Sequence, residues 1–237
     1  MVSEKKIITE TSSEMLPIRV KFSKKGNLMY ISHLDLAKTM QRIMVRADID
    51  IWYSEGFNPQ PKIVFAVPLP VGVESDCELL DIRINSPMEL WEIKSRLQKN
   101  FPEEMQVLDV YVPEVKFKNI AYIDYTIKLC SPKITEQAAK DVENLFKDEC
   151  NVTKITKSGK EKVVNLCEFI SSLKAEYVNG EIIISTILCA DGERYLNPEL
   201  LIEAIRKNLN ILTSDSTEEY YSILRNQMLN SDLTIFK

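Results

Sequence analysis

The stretch Ile18–Ala47 reads IRVKFSKKGNLMYISHLDLAKTMQRIMVRA, and it decides the fold. Its start alternates apolar Ile18, Val20 and Phe22 with polar Arg19, Lys21 and Ser23, the period-two pattern of a strand with one buried face. Lys25-Gly26-Asn27 marks a turn, and Leu28–Ile31 reads as a continuation of extended chain. Ser32 then opens a helix. Its hydroxyl can cap, and Asp35 three residues on makes a variant of the capping box. Leu34, Ala37, Met40, Met44 and Ala47 recur at helical spacing and are assigned to the buried face.

Downstream, Ile49–Tyr53 reads as extended. Ser54–Pro61 is a loop, because Gly56, Pro59 and Pro61 forbid regular structure. Ile63–Val67 is a strand, Pro68–Gly72 a break, and Cys77–Ile84 another strand. A helix runs from Pro87 to Asn100 with Leu90, Ile93 and Leu97 inward, and Met105–Val112 is a further strand. The order is β-α-β-β-α-β, the split βαβ or ferredoxin-like arrangement, with an antiparallel sheet and two helices on one face. The Ile51–Ile84 region leaves room for a bulge or an extra hairpin.

Pro113–Ala121 reads as a linker or a crossing strand, after which a similar cycle begins. Ile123–Leu129 is a strand and Thr135–Asp148 a helix. Val152–Thr156 and Lys162–Asn165 form a hairpin about Ser158-Gly159, and Leu166–Leu173 is read as a short helix. Glu176–Tyr177 and Ile182–Cys189 flank Asn179-Gly180, a strong hairpin signal. Asn197 caps a helix with Pro198 at its first position, ending near Asn208. Tyr220–Met228 is read as a strand rather than a helix. The expected class is α+β, with two ferredoxin-like βαββαβ halves carrying antiparallel sheets, as a duplication would give, although no clear repeat links them. The expected domains are 16–113 and 122–237, after a flexible leader at Met1–Met15.

Composition removes several classes of function. The chain has 237 residues and a net charge of −5, so it is not a generally basic nucleic-acid binder. The charge is uneven: Arg19, Lys21, Lys24, Lys25, Lys38, Arg42 and Arg46 are opposed between them only by Asp35, and a local basic face can still take an anion. Cys77, Cys130, Cys150, Cys167 and Cys189 are too widely spaced for a zinc ribbon or the usual iron–sulfur loop, and read as free thiols. With His33 the sole histidine, no metal site is expected, and no cofactor is indicated. No apolar run approaches the length of a membrane span, and the polar N-terminus lacks a signal-peptide core, so a cytoplasmic protein without membrane association is expected.

Four groups of residues can carry function. Asp35, Lys38, Arg42 and Arg46 form a stripe that is either a solvated helix face or a contact for phosphates. His33, at the first turn of the helix, either fastens the helix start or acts as a base or hydrogen-bond donor; as a base it would need partners such as Tyr53 or Lys24. Tyr53, Ser54, Phe57 and Asn58 lie on a loop shaped by Gly and Pro; its aromatics either fill the rim of the sheet or stack on a flat ligand. Lys157–Lys162 holds three lysines around Gly159 without P-loop spacing, and reads as a polar hairpin tip.

The run SHLDL, YSEGFNPQPKI and PLPVGVES resembles a bacterial family of unknown function described as radical-SAM-linked. Its members occur alone or as extensions of cobalamin-binding-type radical SAM proteins. The similarity is dense from Arg19 to Ile84, taking in Lys24, His33, Asp35, Arg42, Arg46, Tyr53, Phe57 and Glu78. In the second half only Lys160, Val164–Leu166 and the Asn197–Leu201 helix start look similar. Gln60 and Asn165 stand where members often carry His and Asp, which argues against essential proton transfer at either position. The resemblance implies association with a radical SAM enzyme. This chain lacks the cluster cysteines, so it is not itself that enzyme.

The expected function is therefore an accessory protein, more naturally non-catalytic, that binds RNA or presents substrate for tRNA or rRNA modification. Its ligand residues would be Lys24, His33, Asp35, Arg42, Arg46, Tyr53, Ser54, Phe57 and Asn58, and its partners RNA and a radical SAM enzyme. The alternatives are a metal-independent RNA-processing enzyme using His33, and a pure protein–protein adaptor.

Overall fold

The alternating run at Ile18 forms β1 (Ile18–Lys24), and its apolar side chains point to the layer where the helices lie. The structure is a computed structural model that describes residues 17–155, 161–192, 194–214 and 217–237. The proposed leader lies outside the described residues, as do Lys157–Lys160 of the Lys157–Lys162 tip. The chain is α+β, with four α-helices among the described residues and mostly antiparallel strand pairing. It divides into two compact units: 1–71 with 76–116 and residue 237, and 72–75 with 117–236.

The first unit continues through α1 (His33–Arg46), β2 (Ile63–Phe65), β3 (Val73–Ile82), α2 (Leu90–Asn100) and β4 (Met105–Tyr111). Its strands run in the order β4-β1-β3, with β2 on the far side of β3. That is the order a split βαβ produces. Its core joins Val20 and Phe22 of β1 to Leu36, Met40, Ile43 and Met44 of α1, Ile93 and Leu97 of α2, and Leu80 and Ile82 of β3.

Two expectations fail here. Leu28–Ile31 does not extend the strand, because Gly26–Tyr30 form a 3-10 turn. Leu34 is not buried. The inward stripe is Leu36, Met40, Ile43 and Met44, and Leu34, lying two residues before Leu36, is carried about 200° round the helix to 71% exposure. Choosing between two leucines so close together needs the sheet that covers one of them.

The opposite side of β1 buries charge. Arg19 is fully buried and grips Asp81 with two bonds of 2.7 and 2.9 Å, while donating a third to the Val115 carbonyl at 3.0 Å. This pair occupies the sheet face that lies away from the helices. The same guanidinium opposes the effect of burial, which raises the Tyr111 phenol above its usual range.

The second unit comprises β5 (Tyr122–Cys130), α3 (Glu136–Leu145), β6 (Asn151–Ile155), β7 (Glu161–Asn165), β8 (Ile170–Val178), β9 (Glu181–Cys189), α4 (Glu199–Leu209) and β10 (Tyr220–Leu229). Its strand order is β10-β5-β9-β8, all antiparallel. Counting only these four strands gives the same 4-1-3-2 order as the first unit. Gly72–Ser75 count with this unit because Val73–Ser75, the start of β3, pair in parallel with β10. The β6–β7 hairpin is inserted between α3 and β8. Leu166–Leu173, read as a helix, is a 3-10 turn over Leu166–Phe169 that enters β8 at Ile170. Tyr220–Leu229 is a strand. The β8–β9 turn places Asn179 and Gly180 at φ values of 51° and 91°, as a primed hairpin turn requires.

Candidate nucleic-acid interface

The run from Ile49 to Lys62 leaves α1 as a narrow arm. The Asn85 N–H donates to the Asp50 carbonyl and the Trp52 N–H to the Arg83 carbonyl, both at 2.8 Å. On the other edge the Lys62 N–H donates to the Trp52 carbonyl at 2.9 Å, and Tyr53 bridges to Pro61. The extra hairpin foreseen near Ile51 thus exists as this short ladder.

A clasp closes the tip. The Ser54 N–H donates to the Gln60 carbonyl at 2.8 Å, and the Gln60 N–H returns to the Ser54 hydroxyl oxygen at 2.9 Å. Gly56 sits at φ 123°, which other residues rarely adopt, and Pro59 and Pro61 fix their own φ angles. Backbone chemistry therefore shapes the tip. Phe57 is 112% exposed, Tyr53 is also exposed, and Asn58 stands beside Phe57 in solvent. At the base of the arm, the Lys62 ammonium lies 5.5 Å and the Arg83 guanidinium 5.8 Å from the centroid of the Trp52 ring, within cation–π range. Glu55 is the acidic residue of the tip.

The helix residues sort differently from their spacing. The Ser32 hydroxyl accepts from the Asp35 N–H at 3.2 Å and donates to the Asp35 carboxylate at 2.7 Å, so Asp35 belongs to the helix start. His33 packs edge-on against Phe65 of β2, ring centroids 5.1 Å apart. Arg46 donates to the Asn100 carbonyl at the end of α2, at 3.0 Å. Lys38 and Arg42 remain exposed on α1. Lys24 is 1% exposed and donates to the Leu28 carbonyl, so it lies inside the unit and not on this basic face. Arg19 and Lys25 are paired with Asp81 and Asp76.

Of the nine ligand residues proposed from sequence, Tyr53, Ser54, Phe57 and Asn58 come together on the arm. Lys24, His33, Asp35, Arg42 and Arg46 do not join them there. Ser54 is the clasp, and its hydroxyl already accepts a bond. Trp52, Lys62 and Arg83 were missed. The signal for Trp52 and Lys62 was their place beside the Tyr53–Pro61 loop; Arg83 arrives only through pairing across 31 residues. Among the described residues no cluster of three His, Cys, Asp or Glu side chains is placed to hold a metal. The cysteines are free, and burial raises the Cys150, Cys167 and Cys189 thiols above their usual range, which disfavours the nucleophilic thiolate. No helix among the described residues is long and apolar enough to cross a membrane.

Residues 17–198 match the model of an uncharacterized protein family conserved in bacteria, DUF2344. The chain belongs to this family. The search of curated proteins finds no match. Among solved structures, this DUF2344 chain is similar to one in a Cbf5–Nop10–Gar1 complex, with 10% identity and a TM-score of 0.47 over 90% of this chain and 49% of that one. It thus spans about half the length of that chain. An unknown protein from Galdieria sulphuraria aligns at 8% identity and a TM-score of 0.27, covering 90% and 99% of the two chains. A manganese complex of DypB N246A aligns at 9% identity and a TM-score of 0.20, covering 90% and 93%.

Proposed function

We propose that this protein is a non-catalytic accessory protein that binds RNA and presents it to a radical SAM enzyme for tRNA or rRNA modification. The observation that carries the RNA-binding part is Phe57, held fully exposed on a clasped tip. Burying such a ring is worth about 1.5–3 kcal/mol, and the tip withholds it from the protein's own core. Lys62 and Arg83 at the base of the same arm add the basic character that aromatic nucleic-acid sites share. The radical SAM link rests on the resemblance of the SHLDL and YSEGFNPQP motifs.

The test is to titrate purified protein into total tRNA and rRNA from its host at several salt concentrations. Binding that weakens linearly on a log–log plot against salt is expected from phosphate contacts. The absence of any RNA binding would remove the reading. A protein–protein adaptor is favoured by one other observation: Leu34 and Val45 are exposed beside Lys38 and Arg42 on α1. It predicts a complex with the radical SAM partner that forms equally well without RNA.

A further inference from the structure

We propose that the arm takes RNA in single-stranded form, with one unstacked base on the Phe57 ring and neighbouring phosphates against Lys62 and Arg83. This rests on the RNA-binding reading above and adds the form of the ligand. A base inside an A-form duplex has both faces covered by its neighbours, so a ring offered at a loop tip can stack only on a base that has left the helix. Phe57 is such a ring, more exposed than any other large apolar residue described.

The cations point the same way. Trp52 holds Lys62 and Arg83 within 6 Å of one ring centroid. The negative face of an indole steadies each cation at the base of the arm. A phosphate can take both, the Lys62 ammonium as a point charge and the Arg83 guanidinium as a fork that suits its oxygens. The Ser54–Gln60 clasp and the two prolines order the tip beforehand, so less entropy is lost on binding. The exposed Asn58 amide offers both a donor and an acceptor to the edge of the stacked base.

The intact protein carrying Trp91→Phe keeps Trp52 as its sole tryptophan. Trp91 lies exposed on α2, away from the arm's hydrogen bonds, so the change leaves the arm intact. This protein is titrated with an oligouridylate of about 12 nucleotides and with an A-form RNA duplex of equal length, reading Trp52 fluorescence and the anisotropy of labelled RNA. The oligouridylate is expected to bind and alter Trp52 emission, and the duplex to bind at least about tenfold more weakly. Phe57→Ala, which removes a ring that packs on nothing, is expected to lose about tenfold or more in affinity. Lys62→Gln with Arg83→Gln is expected to flatten the salt slope by about 1.4, or about 0.7 per phosphate contact. Equal binding of the duplex overturns the single-strand inference and leaves RNA binding standing. No binding of either RNA overturns both. Single-strand binding that neither Phe57→Ala nor the double variant weakens removes the site from the arm and overturns the proposal. Thermal melts of each variant show that it is folded.

Discussion

Arg42 and Arg46 stand one turn apart on α1, yet the structure gives them different surroundings. Arg46 caps the end of α2 through Asn100, while Arg96 of α2 returns the contact, donating to the Asp48 carbonyl at 2.8 Å just past the end of α1. Each helix has its last carbonyls met by an arginine of the other, where a cation also suits the macrodipole. Arg46→Ala is therefore expected to lower stability by about 1 kcal/mol, and Arg42→Ala by less than about 0.5 kcal/mol; urea midpoints distinguish them. Equal losses would mean that the bond from Arg46 to the Asn100 carbonyl contributes nothing. The fourfold spacing correctly places both arginines on one side of the helix, but only the neighbouring helix decides which of them it engages. Glu219 is a similar case, with no motif to mark it. The Ser214 N–H at 2.7 Å and the Ser131 hydroxyl at 2.8 Å donate to its carboxylate and hold it down to about 2. The stabilisation is complete above the ordinary carboxylate range near pH 4.5 and fades as pH falls toward 2. Glu219→Gln should accordingly be less stable than the wild type at pH 7, with the gap closing in acid. A gap that stays constant with pH would show that charge is not the cause.

At the scale of elements, a helix start was legible where a side chain caps it; α2, expected from Pro87, begins at Leu90 with no side-chain cap on Glu89. Ser32 caps α1 and Thr135 caps α3, each with its own side-chain oxygen. Ser32→Ala should cost about 0.5–2 kcal/mol, read as a shift in the denaturation midpoint. No shift would mean that the His33–Phe65 contact alone fixes the helix start. The treatment of sheet edges was not legible. β4 bulges opposite Lys21 and Phe22 of β1, and there Gln98 of α2 accepts from the Val107 N–H at 2.8 Å while Lys94 donates to the Leu108 carbonyl. In the second unit, Glu143 of α3 accepts from the Ala175 N–H of the edge strand β8 at 2.9 Å. In both units a helix side chain occupies edge groups that would otherwise be open to pairing with another chain. Such contacts join residues 9 to 32 positions apart. A period-two or period-3.6 pattern carries no trace of them.

At the scale of the molecule, the two units share a strand order and also the position of their departure from it. Each inserts extra chain between its first helix and its second strand: the arm in one, the β6–β7 hairpin in the other. The arm projects from the edge next to β2, a strand of only three residues, so a loop with few core contacts can carry Phe57 without disturbing the sheet. Most of the order of elements was readable because a strand or helix announces its own period, the exception being Leu166–Leu173, read as a helix and found to lead into β8; the pairing of Val73–Ser75 with β10 joins segments about 150 residues apart, and no local pattern announces it. That pairing gives a strong test of the architecture. The family match ends at residue 198, before α4 and β10. Yet β10 pairs with β5 along its length, from Tyr220 against Cys130 to Leu229 against Tyr122, and α4 buries Leu201, Ile202, Ala204 and Ile205. A chain ending at 198 would leave one side of β5 unpaired, an edge of the kind that aggregates, and would lose the buried Leu201, Ile202, Ala204 and Ile205 of α4. It is expected to be insoluble, or to lack a cooperative thermal transition, while the full chain melts cooperatively. A soluble 17–198 fragment with an undiminished melting temperature would show that β10 is dispensable, and the strand order of the second unit would then be wrong.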